Sequence, residues 1–133
     1  MGKAVNIIEH HTKLEAARLQ IVSYTETRQH PFVLNRIAGY PLLDKPAPID
    51  TTKSHKLASL LLDDNNYNYG RRYRCIDRGM IGLHFVKADA QVDVSIGTDC
   101  HLVVVCYRDG VEIKWWGQMM NDEAATALFG LLD

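Results

Sequence analysis

His84 and Asp93 are the first residues in this chain whose types and spacing suggest chemistry. If Ala88-Asp89 is the turn of a β-hairpin, the two face each other across neighbouring strands. A carboxylate beside an imidazole stabilises the charged ring and can orient a general base. Ser95 lies two residues beyond Asp93 on the same strand face and adds a hydroxyl. No local spacing ties that hydroxyl to the histidine as a nucleophile. The plainer reading is a cross-strand polar pair that fixes register and keeps the face hydrated.

A second concentration of chemistry runs from Tyr67 to Arg78, where four arginines and three tyrosines fall within twelve residues. Arginine clamps phosphates and carboxylates, while tyrosine stacks on bases or anchors a protein interface. Tyr69, Arg71, Arg72, Tyr73, Arg74 and Arg78 are therefore candidates for binding an anion or nucleic acid. The net charge of -1 argues against a broadly basic nucleic-acid binder. Tyrosines pinning a loop and arginines paired with local acids explain the segment more simply.

Metal binding is not expected. Cys75, Cys100 and Cys106 follow no ligand spacing, and adjacent His10 and His11 diverge on a helix. An extended strand would hold Cys100 and Cys106 ~20 Å apart. Three irregularly spaced cysteines also suggest a reducing compartment rather than a disulfide framework. No glycine-rich phosphate loop and no hydrolase or kinase motif is present, so no cofactor is expected.

The elements that position these residues form an antiparallel meander from Met80 to Gly117. In its first hairpin, Ile81, Leu83, Phe85, Val92, Val94 and Ile96 share one face. Asp109-Gly110 predicts a two-residue type I′ turn in the next hairpin, pairing Cys106 with Ile113 and Val104 with Trp115. Leu102, Val104, Cys106, Val111, Ile113 and Trp115 are then the expected core face. Val103, Val105, Tyr107 and Trp116 stand on the opposite face beside Glu112 and Lys114. Large apolar groups on a solvated face mark partners, so these four are the candidate interface. A bulge at Gly97 or a five-residue loop would keep the two core faces continuous.

Elsewhere, a helical pattern spans Ala4 to Ala16, and alternation from Ala17 to Thr25 predicts a strand. All four prolines lie between Gln29 and Asp50, where Phe32 to Ile37 could form a short edge strand and Lys45-Pro-Ala-Pro an extended loop. Asp50 or Thr52 can cap a helix that buries Leu57, Leu60 and Leu61. A last helix, capped by Asn121 or Asp122, presents Ala124, Ala127, Leu128, Leu131 and Leu132.

A chain of 133 residues that is 47% hydrophobic and 23% charged is expected to fold as one domain, residues 1–133. The predicted class is α+β: a meander of about five strands with two or three helices packed mainly on one face. No apolar run is long enough for a signal peptide or membrane span, which predicts a cytoplasmic protein. The leading functional expectation is a non-catalytic binding protein. It would use a protein–protein surface, as a homodimer or as an inhibitor- or immunity-type partner. The alternatives are a small-molecule pocket between curved sheet and helices around His84 and Asp93, with or without catalysis, and nucleic-acid binding through Tyr67–Arg78.

Overall fold

The computed structural model describes residues 2–29, 35–68 and 77–133. Helix α1 spans Gly2–Glu9, strand β1 Lys13–Leu19 and helix α2 Tyr24–Gln29. Three two-residue strands follow: β2 Arg36–Ile37, β3 Tyr40–Pro41 and β4 Ala47–Pro48. Helix α3 spans Thr51–Leu62, with a 3-10 turn at Asp64–Asn66. The meander is β5 Met80–Lys87, β6 Ala90–Gly97, β7 Leu102–Arg108 and β8 Ile113–Met119, and helix α4 Asp122–Leu132 follows it. The α+β class holds, with a six-stranded antiparallel sheet in the order β4-β1-β5-β6-β7-β8.

The helices start where their caps predict. The Asp50 carboxylate accepts from the Lys53 N–H at 2.9 Å, and the Asn121 side chain accepts from the Ala124 N–H at 2.8 Å. Each satisfies a backbone donor that has no partner inside its own helix. In α4, Ala125 rather than Ala127 joins Ala124 and Leu128 in the core, as the i, i+3, i+4 spacing from Asn121 dictates.

The N-terminal expectation is corrected. The first helix ends at Glu9 rather than Ala16, because the His11 ring turns back and donates to the Ile8 carbonyl at 2.6 Å. The first strand runs from Lys13 to Leu19, and residues from Tyr24 onward form a short helix instead of continuing it. Leu14 is buried toward one side of β1, and Ala17 and Leu19 toward the other. Burial on both sides blurs the period-two signal that would have placed the strand. The expected loop at Lys45–Pro48 contains β4, which pairs with β1 at the sheet edge. Of the expected strand at Phe32 to Ile37, residues 32–34 lie outside the described segments. Arg36 and Ile37 pair with β3, away from the sheet edge.

The β5–β6 register is the expected one: His84 faces Asp93, Phe85 faces Val92 and Leu83 faces Val94. The β7–β8 register is shifted by two residues. Cys106 pairs with Trp115, not Ile113, and Val104 with Gly117, not Trp115. The Asp109 carboxylate is the cause. It accepts from Val111 N–H at 2.7 Å, Glu112 N–H at 2.8 Å and the Tyr107 hydroxyl at 2.7 Å, closing a wider loop than a type I′ turn. These contacts hold the Asp109 pKa down at about 2 and push that of Tyr107 up.

A shift of two residues preserves which side chains share a face, but the core face of β7 is the opposite of the expected one. Val103, Val105 and Tyr107 are buried, whereas Leu102 and Ile113 are exposed. The β6–β7 register explains this directly. Ile96 pairs with Val103, Val94 with Val105 and Val92 with Tyr107, so one apolar face continues across the sheet without a compensating bulge. Helices α1, α3 and α4 cover that face, contributing Ile8, Leu57, Leu61 and Leu128 to one cluster with Leu83 and Phe85. Each such side chain contributes about 1.5–3 kcal/mol by leaving water.

The other face is covered as well. Ile37 and Ala38, at the tip of the β2–β3 hairpin, pack with Ala17, Leu19 and Met80 in a second cluster. Gly82 makes room for this cover, because a Cβ there would meet Ile37 Cγ2 at 2.8 Å and Leu19 Cδ1 at 2.9 Å. Ala38 and Gly39 both adopt positive φ, 51° and 83°, as a tight hairpin turn requires. A side chain at Gly39 would sit 2.1 Å from the Thr27 carbonyl oxygen.

No helix among the described residues is long and apolar enough to cross a membrane. Cys106 is a buried thiol outside any disulfide, whereas Cys100 is disulfide-bonded, a departure from the expectation of uniformly reduced cysteines. Cys75 lies outside the described residues.

Candidate functional site

Adjacent strands place His84 and Asp93 on the face beneath the β2–β3 cover, and there they touch. His84 Nδ1 meets Asp93 Oδ1 at 2.5 Å. The other carboxylate oxygen accepts from the Ala38 backbone N–H at 3.0 Å and lies 3.4 Å from Arg108 Nη2. Asp93 is only 1% exposed, His84 20% and Arg108 11%. Arg108 also donates from Nε to Gln91 Oε1 at 2.9 Å. The carboxylate thus has a neutral donor from the covering hairpin and a cationic group from β7. Its arrangement binds cover to sheet, and its acceptor positions are taken up by the fold. Ser95 is fully buried on the same face, and its hydroxyl makes no hydrogen bond with any described residue. Two strand steps separate it from Asp93, about 7 Å. The Ser95 hydroxyl has no hydrogen bond to His84, so the three residues do not assemble as a nucleophile, base and orienting acid.

Arg108 and the Ala38 N–H were not among the expected partners. Arg108 would have been found with Asp93 had the odd-numbered residues of β7 been read as core, because Gln91 then falls opposite Arg108.

The four interface candidates sit on the helix-covered face. Val103, Val105 and Tyr107 are buried there, and Trp116 is half-buried at its margin. A buried side chain cannot dock a partner, so the expected sheet-face interface is replaced by an internal one. His84 and Asp93 lie on the opposite side of the sheet from Tyr107 and Trp116, not on a shared mixed face.

Three of the former interface residues line a cavity instead. Val103, Val105 and Trp116 form its floor, α1 contributes Val5 and Ile8, and α3 contributes Leu61 and Leu62. Its volume is about 310 Å³. Polar groups in the lining are engaged by the chain: the Tyr67 hydroxyl donates to the Leu61 carbonyl at 2.6 Å, and Gln118 Nε2 donates to the Asn68 carbonyl at 3.2 Å. Among the described residues lining it, Asp64 is the single charged one. Near the α1 wall, Lys3 Nζ reaches Glu112 Oε1 at 2.7 Å, and Lys87 Nζ donates to Asn6 Oδ1 at 2.9 Å. The Lys3 contact holds the Glu112 pKa below the usual carboxylate range and raises that of Lys3.

Of the anion-binding candidates, Tyr69, Arg71, Arg72, Tyr73 and Arg74 lie outside the described residues. Arg78 is exposed, and its backbone N–H donates to Asp99 Oδ2 at 2.7 Å. Asp77 Oδ1 accepts from the Asp99 and Cys100 N–H groups at 3.0 and 2.7 Å, which ties this end of the segment to the β6–β7 loop. Among the described residues, no group of three His, Cys, Asp or Glu side chains is placed to hold a metal ion.

No family model, curated protein sequence or solved structure matches the chain.

Proposed function

We propose that the chain is a binding protein for a small, uncharged apolar molecule, held between α1, α3 and the β7–β8 hairpin. The carrying observation is the cavity of about 310 Å³ lined by Val5, Ile8, Leu61, Val103, Val105 and Trp116. Ligand pockets begin near ~300 Å³ and are mostly apolar with a few polar groups. Trp116 offers an aromatic surface to this largely apolar lining. A neutral aromatic or short aliphatic compound fits this lining. The small-molecule reading therefore moves from His84 and Asp93 to the opposite side of the sheet.

The test uses the neutral fluorophore N-phenyl-1-naphthylamine, with n-octanol as competitor. Saturable binding that octanol displaces is expected. Val5 is half-buried on α1, so Val5→Phe can fill the cavity from its wall. This variant should bind about tenfold more weakly or worse, equivalent to about 1.4 kcal/mol or more. Equal binding by Val5→Phe, or no binding by the folded parent chain, would refute the proposal.

A further inference from the structure

We infer that His11 and His55 together hold a divalent transition-metal ion of the zinc class, where α1 and β1 meet α3. The two imidazoles come from different elements. His11 lies in the turn between α1 and β1, and His55 lies in the second turn of α3. Their ring centres are 5.4 Å apart, with the planes tilted by 42°.

That spacing is the one a shared ion requires. A nitrogen lies about 1.1 Å from its ring centre and a Zn–N bond is about 2.0–2.1 Å, so two rings on one tetrahedral ion have centres about 5.2 Å apart. The tilt matches neither the parallel stack nor the perpendicular edge-to-face pair that aromatic rings prefer.

His11 is prepared as a ligand. It is only 9% exposed, and its Nδ1 meets the Ile8 carbonyl oxygen at 2.6 Å. A carbonyl only accepts, so Nδ1 carries the proton and Nε2 keeps its lone pair. Metal-ligating histidines almost always donate their other N–H to a carbonyl or carboxylate, which fixes tautomer and ring orientation. The fully buried Phe85 ring, edge-on at 5.0 Å and 75°, supports the imidazole from the core side.

Both rings have a nitrogen to give. His11 Nε2 and the His55 ring make no hydrogen bond with any described residue. Among the described residues, Ser95 Oγ is the single fully enclosed side-chain polar atom without a partner, so His11 Nε2 reaches water. His55 is exposed, and rotation about its side-chain bonds can aim a nitrogen at the same point.

The surroundings suit a cation. His55 lines a groove of about 450 Å³ with Glu9, Ser59 and Asp63, which leaves room for water and sets carboxylate charge nearby. Among the described residues no third ligand side chain converges on the pair, so water completes the shell. Two imidazoles select zinc, nickel or copper over magnesium and calcium, which take oxygen ligands. Structural zinc sites are closed by four protein ligands. This one is open, so its occupancy follows the concentration of free ion. Loading ties the exit of α1 to α3 and stabilises the folded chain by mass action.

Calorimetric titration with zinc chloride tests the inference, with magnesium chloride as control. One zinc ion should bind per chain, magnesium should not, and zinc should raise Tm. His55 is exposed, so His55→Ala should leave circular dichroism and the metal-free Tm unchanged. Outer-shell changes around a metal cost about 10–100-fold in affinity, so loss of a ligand should weaken zinc binding by at least about tenfold. His10→Ala, beside the site in sequence, should bind as the parent chain does. Imidazole nitrogen spectra give an independent readout. Zinc should shift His11 Nε2 and one His55 nitrogen together while leaving His84 and His101 in place. No saturable zinc binding, binding indifferent to His55→Ala, loss on His10→Ala instead, or shifts confined to other histidines overturns the inference. Should His55→Ala fail to fold, the nitrogen spectra of the parent chain decide.

Discussion

Replacing Asp93 by alanine should loosen the covering hairpin and lower global stability. The buried carboxylate accepts from His84 at 2.5 Å and from the Ala38 N–H at 3.0 Å, and it lies 3.4 Å from the Arg108 guanidinium. Hydrogen bonds to a charged group contribute about 1.5–3 kcal/mol each. The Arg108 contact is long and counts as an ion pair only. His84 is 20% exposed and recovers part of its loss from water, whereas Ala38 is 1% exposed and recovers little. Removing one partner of a buried pair costs about 3–5 kcal/mol. With hydration of His84 offsetting some of that, Asp93→Ala should cost about 3–4 kcal/mol, or roughly 10 °C in Tm for a domain of this size. Asp93→Asn keeps an acceptor for Ala38 without the negative charge and should lose about half as much. Urea unfolding followed by circular dichroism gives both values, and an unchanged m-value confirms that the same surface is exposed on unfolding. Hydrogen exchange at the Ala38 amide should quicken in Asp93→Ala before global unfolding. A loss below about 1 kcal/mol with an unchanged m-value would refute the view that this carboxylate holds the hairpin to the sheet.

Two glycines should respond in opposite directions to alanine. Gly39→Ala meets both a φ of +83° and the Thr27 carbonyl at 2.1 Å, so thermal unfolding should show a loss exceeding the ~1–2 kcal/mol of a left-handed residue alone. Gly130 in α4 has open space where its Cβ would be, and Gly130→Ala should stabilise by up to ~1 kcal/mol. The Asp109 pKa falls from 3.8 to about 2 in the folded chain, chiefly through the Tyr107 hydroxyl and the Glu112 N–H. A lowered folded pKa contributes stability above the unfolded value and loses it as pH falls through the folded one. The advantage of the parent chain over Asp109→Asn should therefore be steady above pH 3.8 and shrink toward pH 2 in urea midpoints. An advantage undiminished at pH 2 would contradict it.

The parts of the fold legible in the sequence are those with a strong local pattern. The β5–β6 register could be read because six apolar residues on two strands agree on one face. The α3 and α4 caps could be read because Asp50 and Asn121 immediately precede apolar stripes. The β7–β8 hairpin was harder, because both of its faces are apolar and alternation does not say which face the helices cover. Parity of the β6–β7 pairing decides it, through Val94 against Val105, and that parity depends on a loop length the sequence leaves open. The Asp109-Gly110 signal failed because side-chain bonds from Asp109 to Val111 and Glu112 set a different turn. The candidate site shows the same division. His84 and Asp93 are paired by local register, but Ala38 arrives from 55 residues away in sequence and leaves no local trace. The cavity is assembled from α1, α3 and β7–β8, so its shape depends on distances between layers that no sequence period encodes.

Adjacent tryptophans on β8 give the molecule two built-in optical reporters. Trp115 packs against the cluster under the β2–β3 hairpin, whereas Trp116 packs against the helix-covered core and lines the cavity. Alternation along one strand therefore separates two neighbouring indoles by the thickness of the sheet. With Trp115 replaced by phenylalanine, emission reports polarity in the helical layer alone; with Trp116 replaced, it reports the hairpin side alone. The same chain can thus show which of its two coverings loosens first, and which one responds to an added compound, without any attached dye.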